Sequence, residues 1–392
     1  MKRSIDDLAV FGGAPLFESV KPFGQLSVPD VDAYLYSMRD IFKRRELTGN
    51  GPMVRALEER LRKFHNVTDC IAVVNACVAL VMLMRIFAGG RRGNVVVPAF
   101  SYRGIPHVVQ WAGQVSRFCD VERIRHGLDP NAVAAAIDDE TTAILAVCTV
   151  YGISDIDALS AIAIERNVPL LIDSVSAMGA TYGGRILGSF GEAEVFSLHA
   201  TKMLAGFEGG YITTNDESLA RTLREQRDSG SVNATLNEMH AAMALLSLDG
   251  LDAAIAENML RYRAYEHVCK SSPGLELVGY VNEASERYTY QMALLGVCEP
   301  WPLTRQEMVT LLRAERAMVM PYYDTPLHRL APSKTGMVVG EMPVAEEFAR
   351  RFMYLPGGAH TSIGDVTRIG DLFDVLRKNG AEISDRLRRA QQ

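Results

Sequence analysis

Between residues 70 and 215 short β-branched, apolar runs alternate with stretches of helical periodicity. That alternation constrains the fold more than any other feature. Two parallel strands cannot be joined by a tight turn and need a crossover, usually a helix, so the pattern implies a parallel sheet covered by helices on both faces. CIAVV (70–74) is followed by a helix-like run that ends at Gly89-Gly90, and NVVVP (94–98) by a helix through HVVQWAG. The strand VSRFC (115–119) precedes the helix DPNAVAAAID, and AILAVCT (143–149) is nearly all apolar, as a central strand requires. DIDALSAIAIERN then leads to the strand VPLLID (168–173). The expected fold class is α/β with a mostly parallel, doubly wound sheet, and ligands of such sheets sit at the carboxyl ends of the strands.

Beyond Asn237 the texture changes. A long helix is expected from about Glu238 to Cys269, then antiparallel strands at LELVGYV and YTYQMALLGV, an amphipathic helix at TRQEMVTLLRAER, and a last helix near Val366–Lys378 with a polar, fraying tail. This divides the chain into residues 1–250, an N-terminal arm with a large α/β domain, and 251–392, a smaller C-terminal α+β domain. At 392 residues there is ample core without disulfides or metals. Lys plus Arg is 41 and Asp plus Glu 47, with the signs interspersed, which argues against nucleic acid as a partner. No apolar run approaches the roughly 18 residues of a membrane span, and the start lacks a signal-peptide core. The six cysteines form no Cys-x-x-Cys pair, so reduced thiols and a cytoplasmic location are expected. No histidine or carboxylate spacing suggests a metal.

The chemistry concentrates in SLHATKMLAGFEGG (197–210). Lys202 follows a short strand, and a lysine desolvated at such a place has a depressed pKa and becomes a nucleophilic amine able to form a Schiff base. The plainer alternative is a lysine that snorkels to the surface. Asp173 ends the strand VPLLID, 29 positions earlier. Both residues fall at strand carboxyl ends and face one crevice. A pyridinium between them would explain the pair, with the carboxylate holding the ring nitrogen protonated and the lysine holding the aldehyde of pyridoxal phosphate. Alternatively, Asp173 is a simple helix cap. Asn75-Ala76-Cys77 opens a helix where backbone N–H groups could take a phosphate, with hydroxyls from Ser197 and Thr201, or Asn75 is a cap and nothing more. Phe100-Ser101-Tyr102 follows NVVVP; Phe100 reads as core, while Tyr102 faces the other side. His199 reads as a packing or supporting residue. None of these signals is specific alone.

Their order along the chain is specific. GGAPLF (12–17), LTGNGPMVRALEERL (47–61), VVPAFSY (96–102), LLIDSVSAMGATYGGRILGSFGEAEVFSLHATK (170–202), EGGYITTND (208–216), NEMHAAMALLSLDGLD (237–252), YYDTPLH (322–328), MPVAEEF (342–348) and YLPGG (354–358) resemble the DegT/DnrJ/StrS family of pyridoxal-phosphate-dependent sugar aminotransferases. The resemblance implies the aspartate aminotransferase-like fold (fold type I) and a homodimer with active sites at the subunit interface. It implies transfer of an amino group from an amino acid, L-glutamate, to a keto-sugar, nucleotide-linked, in sugar or natural-product biosynthesis. By that resemblance Lys202 is the Schiff-base lysine and proton carrier, Asp173 pairs with the pyridine nitrogen and Tyr102 stacks on the ring. The amides of Ala76 and Cys77, with Ser197, hold the phosphate, Ser176 lies beside the cofactor, and Asn233 reaches the partner's phosphate. Thr48, Asn50 and His328 align with substrate-contacting loops. Three positions depart from the family pattern: Asn75-Ala76-Cys77 replaces Ser-Gly-Thr, Ser176 replaces a glutamine, and Thr235 stands where many members carry Arg or Lys. The last two motivate the alternative of elimination or cyclisation on the same scaffold, and a cofactor-binding protein without turnover is the reading from another class.

Overall fold

The computed structural model describes residues 2–229, 233–330 and 336–390. After two short 3-10 turns at Ile5–Asp7 and Ala9–Phe11, the order is α1 (Val31–Arg44), α2 (Pro52–His65), β1 (Asp69–Val73), α3 (Ala76–Ala88), β2 (Asn94–Pro98), α4 (Ile105–Trp111), β3 (Val115–Cys119) and α5 (Pro130–Ala136). Then come β4 (Thr141–Val147), α6 (Ile156–Arg166), β5 (Leu170–Asp173), a hairpin of β6 (Thr181–Tyr182) and β7 (Arg185–Ile186), β8 (Ala193–Ser197), β9 (Gly210–Thr214) and α7 (Glu217–Asp228). The remainder is α8 (Glu238–Asp249), α9 (Leu251–Lys270), β10 (Leu275–Leu277), β11 (Ala293–Val297), α10 (Arg305–Ala314), β12 (Met320–Pro321), α11 (Leu327–Leu330), β13 (Gly336–Val338), α12 (Pro343–Arg351), β14 (Phe352–Leu355) and α13 (Ile363–Ala390).

Eight strands form one sheet in the order β1-β9-β8-β5-β4-β2-β3-β13. β9 runs antiparallel to both its neighbours, and the other pairings are parallel. All seven residues of β4 are buried, consistent with its central place. Side-chain caps start the helices: Asn75 Oδ1 accepts from Val78 N at 2.8 Å, and Asp129, Asp155 and Asp216 do the same for α5, α6 and α7. A second, four-stranded antiparallel sheet has the order β10-β11-β14-β12. No single helix among the described residues is long and apolar enough to cross a membrane.

Three expectations are corrected. The helix expected from 238 to 269 is two helices, bent by 62° at Gly250. α8 packs on α1 and α2 while α9 packs on α13, and one straight rod cannot reach both. In YTYQMALLGV only the second half is a strand, because Tyr290 adopts φ 50° and breaks the extended run. The C-terminal tail does not fray after Lys378: α13 continues to Ala390, with Ile383 and Leu387 buried. Two segments also pack across the boundary expected at residue 250. Ile5, Leu8, Leu16 and Phe17 enter the core beneath the smaller sheet, and Met342, Ala345 and Phe348 enter that of the larger.

Candidate active site

The carboxyl ends of β1, β5 and β8 lie along one edge of the large sheet. Asp173 is the last residue of β5 and is buried, 5% exposed. Its Oδ1 accepts from Val175 N at 3.0 Å, the local turn that the plainer reading required. Its Oδ2 has no protein partner among the described residues. Burial pushes the carboxyl up to about 6, against the Val175 amide and the Lys202 charge, which pull it down. Lys202 stands in the turn after β8 and donates from Nζ to Ser176 Oγ at 3.1 Å. Burial lowers its pKa, and Asp173 opposes that shift. An amine whose charged form burial disfavours thus shares the crevice with a carboxyl that has one oxygen free. Both charges are costly here until a ligand takes its place between them.

Gly210 builds the neighbouring part. It opens β9, in register with Val73 of β1 on one side and Ser197 of β8 on the other. A Cβ on Gly210 would lie 2.6 Å from Ala76 N, so the start of α3 rests directly on the strand. This close approach brings the Ala76 and Cys77 amides and the buried Ser197 to the same end of the sheet. Those two amides are the unpaired first donors of a helix, and the positive end of its dipole faces outward with them. Ser197 Oγ accepts from His199 N at 3.2 Å, leaving its own hydrogen to donate. Burial, then the negative charges of Asp173 and Glu208, pushes the Cys77 thiol up. Tyr102 is 52% exposed and lies against Gly104, whereas Phe100 is buried in an aromatic cluster with Tyr322 and Tyr323. Burial, then Cys77, raises the Tyr102 hydroxyl, so Cys77 lies between the fields of Tyr102 and Asp173.

These contacts bring together Lys202, Asp173, Ser176, Ala76, Cys77, Ser197 and Tyr102. The remaining sequence-selected residues lie elsewhere. Asn233 is exposed at φ 47°, and the carbonyl of the next residue, Ala234, accepts from Val74 N at 2.8 Å beside the start of α3. Thr48 is exposed, and the carbonyl of Asn50 accepts from Arg55 at 2.6 Å. Their loop is anchored by Glu238, whose carboxylate accepts from the amides of Met53 and Val54 at 2.9 Å. His328 faces Glu346 at 3.0 Å in α12. No contact joins Thr48, Asn50 or His328 to Lys202 among the described residues. His199 points outward, its Nδ1 2.8 Å from Thr201 Oγ1.

Two residues that the sequence did not single out do reach the crevice. Gln291 is buried and donates to the carbonyl of Ser176, and Gln25 is buried with its amide 3.2 Å from the carbonyl of Thr201. The available signal was a glutamine inside the apolar run YTYQMALLGV, since a buried amide needs a partner.

The profile of the DegT/DnrJ/EryC1/StrS aminotransferase family matches residues 32–374. The chain is 30% identical over 359 residues to the erythromycin biosynthesis sensory transduction protein EryC1 of Saccharopolyspora erythraea, spanning 86% of this chain and 96% of that protein. It is 28% identical to the L-glutamine:2-deoxy-scyllo-inosose aminotransferase of Streptomyces lividus, spanning 86% and 88%. Among solved structures it superposes on DesI, crystallised in the presence of its TDP-sugar product, with a TM-score of 0.91 and 29% identity over 98% of this chain and 100% of that one.

Proposed function

The chain belongs to the DegT/DnrJ/EryC1/StrS aminotransferase family and is an aminotransferase of fold type I, and from that premise we propose that it uses pyridoxal phosphate to move an amino group from L-glutamate to a ketone carbon of a nucleotide-linked sugar. The observation that carries this reading is the pairing, at the end of β5 and in the turn after the adjacent β8, of a buried carboxyl with a free oxygen and a desolvated amine. The donor set suits the cofactor: Lys202 for the aldehyde, Asp173 Oδ2 for the pyridine nitrogen, and the Ala76 and Cys77 amides with Ser197 for the phosphate. Tyr102 offers an exposed ring to cover its face. When bound, pyridoxal phosphate supplies an electron sink for the charge left by a departing proton. The protein's own part is acid–base work. Asp173, ionised by a cation placed against it, fixes that cation and keeps it protonated. Lys202, whose charged form burial disfavours, takes up and returns a proton at Nζ, the step on which the transfer depends.

The sugar-bound product of DesI and the glutamine-dependent relative support a sugar or cyclitol acceptor and a five-carbon amino donor. The partnered form is a homodimer. Helix α1 exposes Val31, Leu35, Tyr36 and Phe42, and Asn233 lies exposed beside the start of α3. Borohydride reduction of the purified protein followed by peptide mapping tests the lysine: the cofactor's mass is expected on the peptide bearing Lys202 and is lost in Lys202→Ala. Label on another lysine, or unchanged turnover in that variant, overturns the reading. Ser176 and Thr235 leave room for one competing chemistry. A protein that carries the cofactor on Lys202 yet shows no response to glutamate or glutamine would point to elimination or cyclisation instead.

A further inference from the structure

Gln25, Asn258 and Gln291 are 1%, 2% and 2% exposed, and no charge of the active site explains three buried carboxamides. They form one chain of hydrogen bonds. Asn258 Nδ2 donates to Gln25 Oε1 at 2.8 Å, Gln25 Nε2 donates to the carbonyl of Gln291 at 2.5 Å, and Gln291 Nε2 donates to the carbonyl of Ser176. The chain ends at the reactive lysine from two sides. Ser176 Oγ accepts from Lys202 Nζ at 3.1 Å, and the backbone N–H of Gln25 donates to the carbonyl of Thr201, the residue before the lysine, at 3.2 Å. The segment carrying Gln25 has no room to shift. A Cβ on Gly24 would meet Thr201 Cβ at 3.0 Å, and one on Gly358 would meet the carbonyls of Gly24 and Gln25 at 2.5 Å.

We infer that Gln25 and Gln291 are positioning residues for Lys202: together they clasp the backbone of the lysine turn and the backbone of Ser176, whose hydroxyl meets the amine. The inference rests on the reading of Lys202 as the reactive amine. A pairing kept only for stability would leave every group satisfied, because a buried unpaired acceptor costs free energy. Gln291 Oε1 is buried without a partner among the described residues. Its donor half therefore carries the benefit, and that half holds Ser176. Gln25, Gln291 and Asn258 come from the N-terminal arm, the run before β11 and helix α9, so the clasp ties elements far apart in sequence to the lysine turn. One titratable group acts on the amine, and two more lie within the field of that group. Asp173 on β5 is the charged group whose field acts on it, and the Cys77 thiol and Tyr323 hydroxyl, which both sense Asp173, are kept neutral by burial.

The test is the pH profile of acetic anhydride labelling of Lys202 in the cofactor-free protein, read by peptide mass spectrometry. In Gln291→Met the freed Ser176 no longer holds its hydroxyl against the ammonium form, and the labelling midpoint is expected to fall by about half a pH unit or more. Ser176→Ala should give the same shift, and the double variant no more than either alone. Gln25→Met, which removes the side-chain bond to the carbonyl of Gln291 and keeps the backbone bond to Thr201, should shift it likewise through Gln291 and Ser176. Unchanged midpoints in Gln291→Met and Ser176→Ala, with both proteins folded by circular dichroism, overturn the clasp. If Gln291→Met does not fold, Ser176→Ala with Gln25→Met decides the matter. Labelling requires no cofactor, so it is independent of whether borohydride fixes pyridoxal phosphate on Lys202. A clasp that passes while that fixation fails indicts the functional reading alone.

Discussion

At Asp173 and Lys202 burial and charge oppose one another, and the balance sets what each residue can do. Asp173 is driven up to about 6 from the usual aspartate range near 4, so folding favours its protonated form. The stabilising contribution is present at low pH and is lost as the pH rises through 6, until a cation placed against the carboxyl restores it. Lys202 is shifted the other way by burial, and the Asp173 charge holds it partly up. Asp173→Asn removes that support. The Lys202 labelling midpoint in the cofactor-free variant is therefore expected to fall below that of the wild type, while the loaded enzyme loses on the order of 100-fold or more in kcat, as when a group that stabilises developing charge is removed. A midpoint that rises would contradict the coupling. These two residues were legible in the sequence because each sits at a strand end followed by a turn. Gln25 and Gln291 were not, since their role comes from contacts over 266 positions of chain that no local pattern encodes.

Among the elements, the strands and helices between residues 70 and 173 follow the sequence to within a few residues, because β-branched runs, capping residues and terminal glycines act locally. What the sequence concealed is tertiary. The 238–270 segment has no proline at its bend, and the change of packing partner from α2 to α13 decides its direction. The tail reads as polar, yet Ile383 and Leu387, four apart, lay one stripe into the second core. Ile383→Ala is expected to cost about 2–5 kcal/mol in denaturant unfolding, whereas a frayed tail would leave the midpoint unchanged. The contact of β9 with α3 is equally exacting. Gly210→Ala places a methyl 2.6 Å from Ala76 N, with backbone on both sides, so α3 must move away from the strand. Pyridoxal phosphate titrated into the cofactor-free variant should bind at least about tenfold more weakly, the equivalent of losing one hydrogen bond to a charged group. Unaltered affinity would show that the helix start does not hold the phosphate.

For the molecule as a whole, the single chain exposes 17153 Å², against about 15,200 Å² for a folded monomer of this mass. The excess fits a surface made to be covered. Sedimentation equilibrium should give twice 43.1 kDa, and Tyr36→Glu with Phe42→Glu should shift the mass to one chain. A monomeric wild type would remove the proposed interface and with it the cross-subunit role of Asn233. The most direct test of the function is the absorbance spectrum of the purified protein before and after L-glutamate. The expected result is a near-visible cofactor band that gives way to a shorter-wavelength one as the amino group is taken up. A band that no amino acid displaces would contradict the aminotransferase mechanism assigned to Lys202 and Asp173.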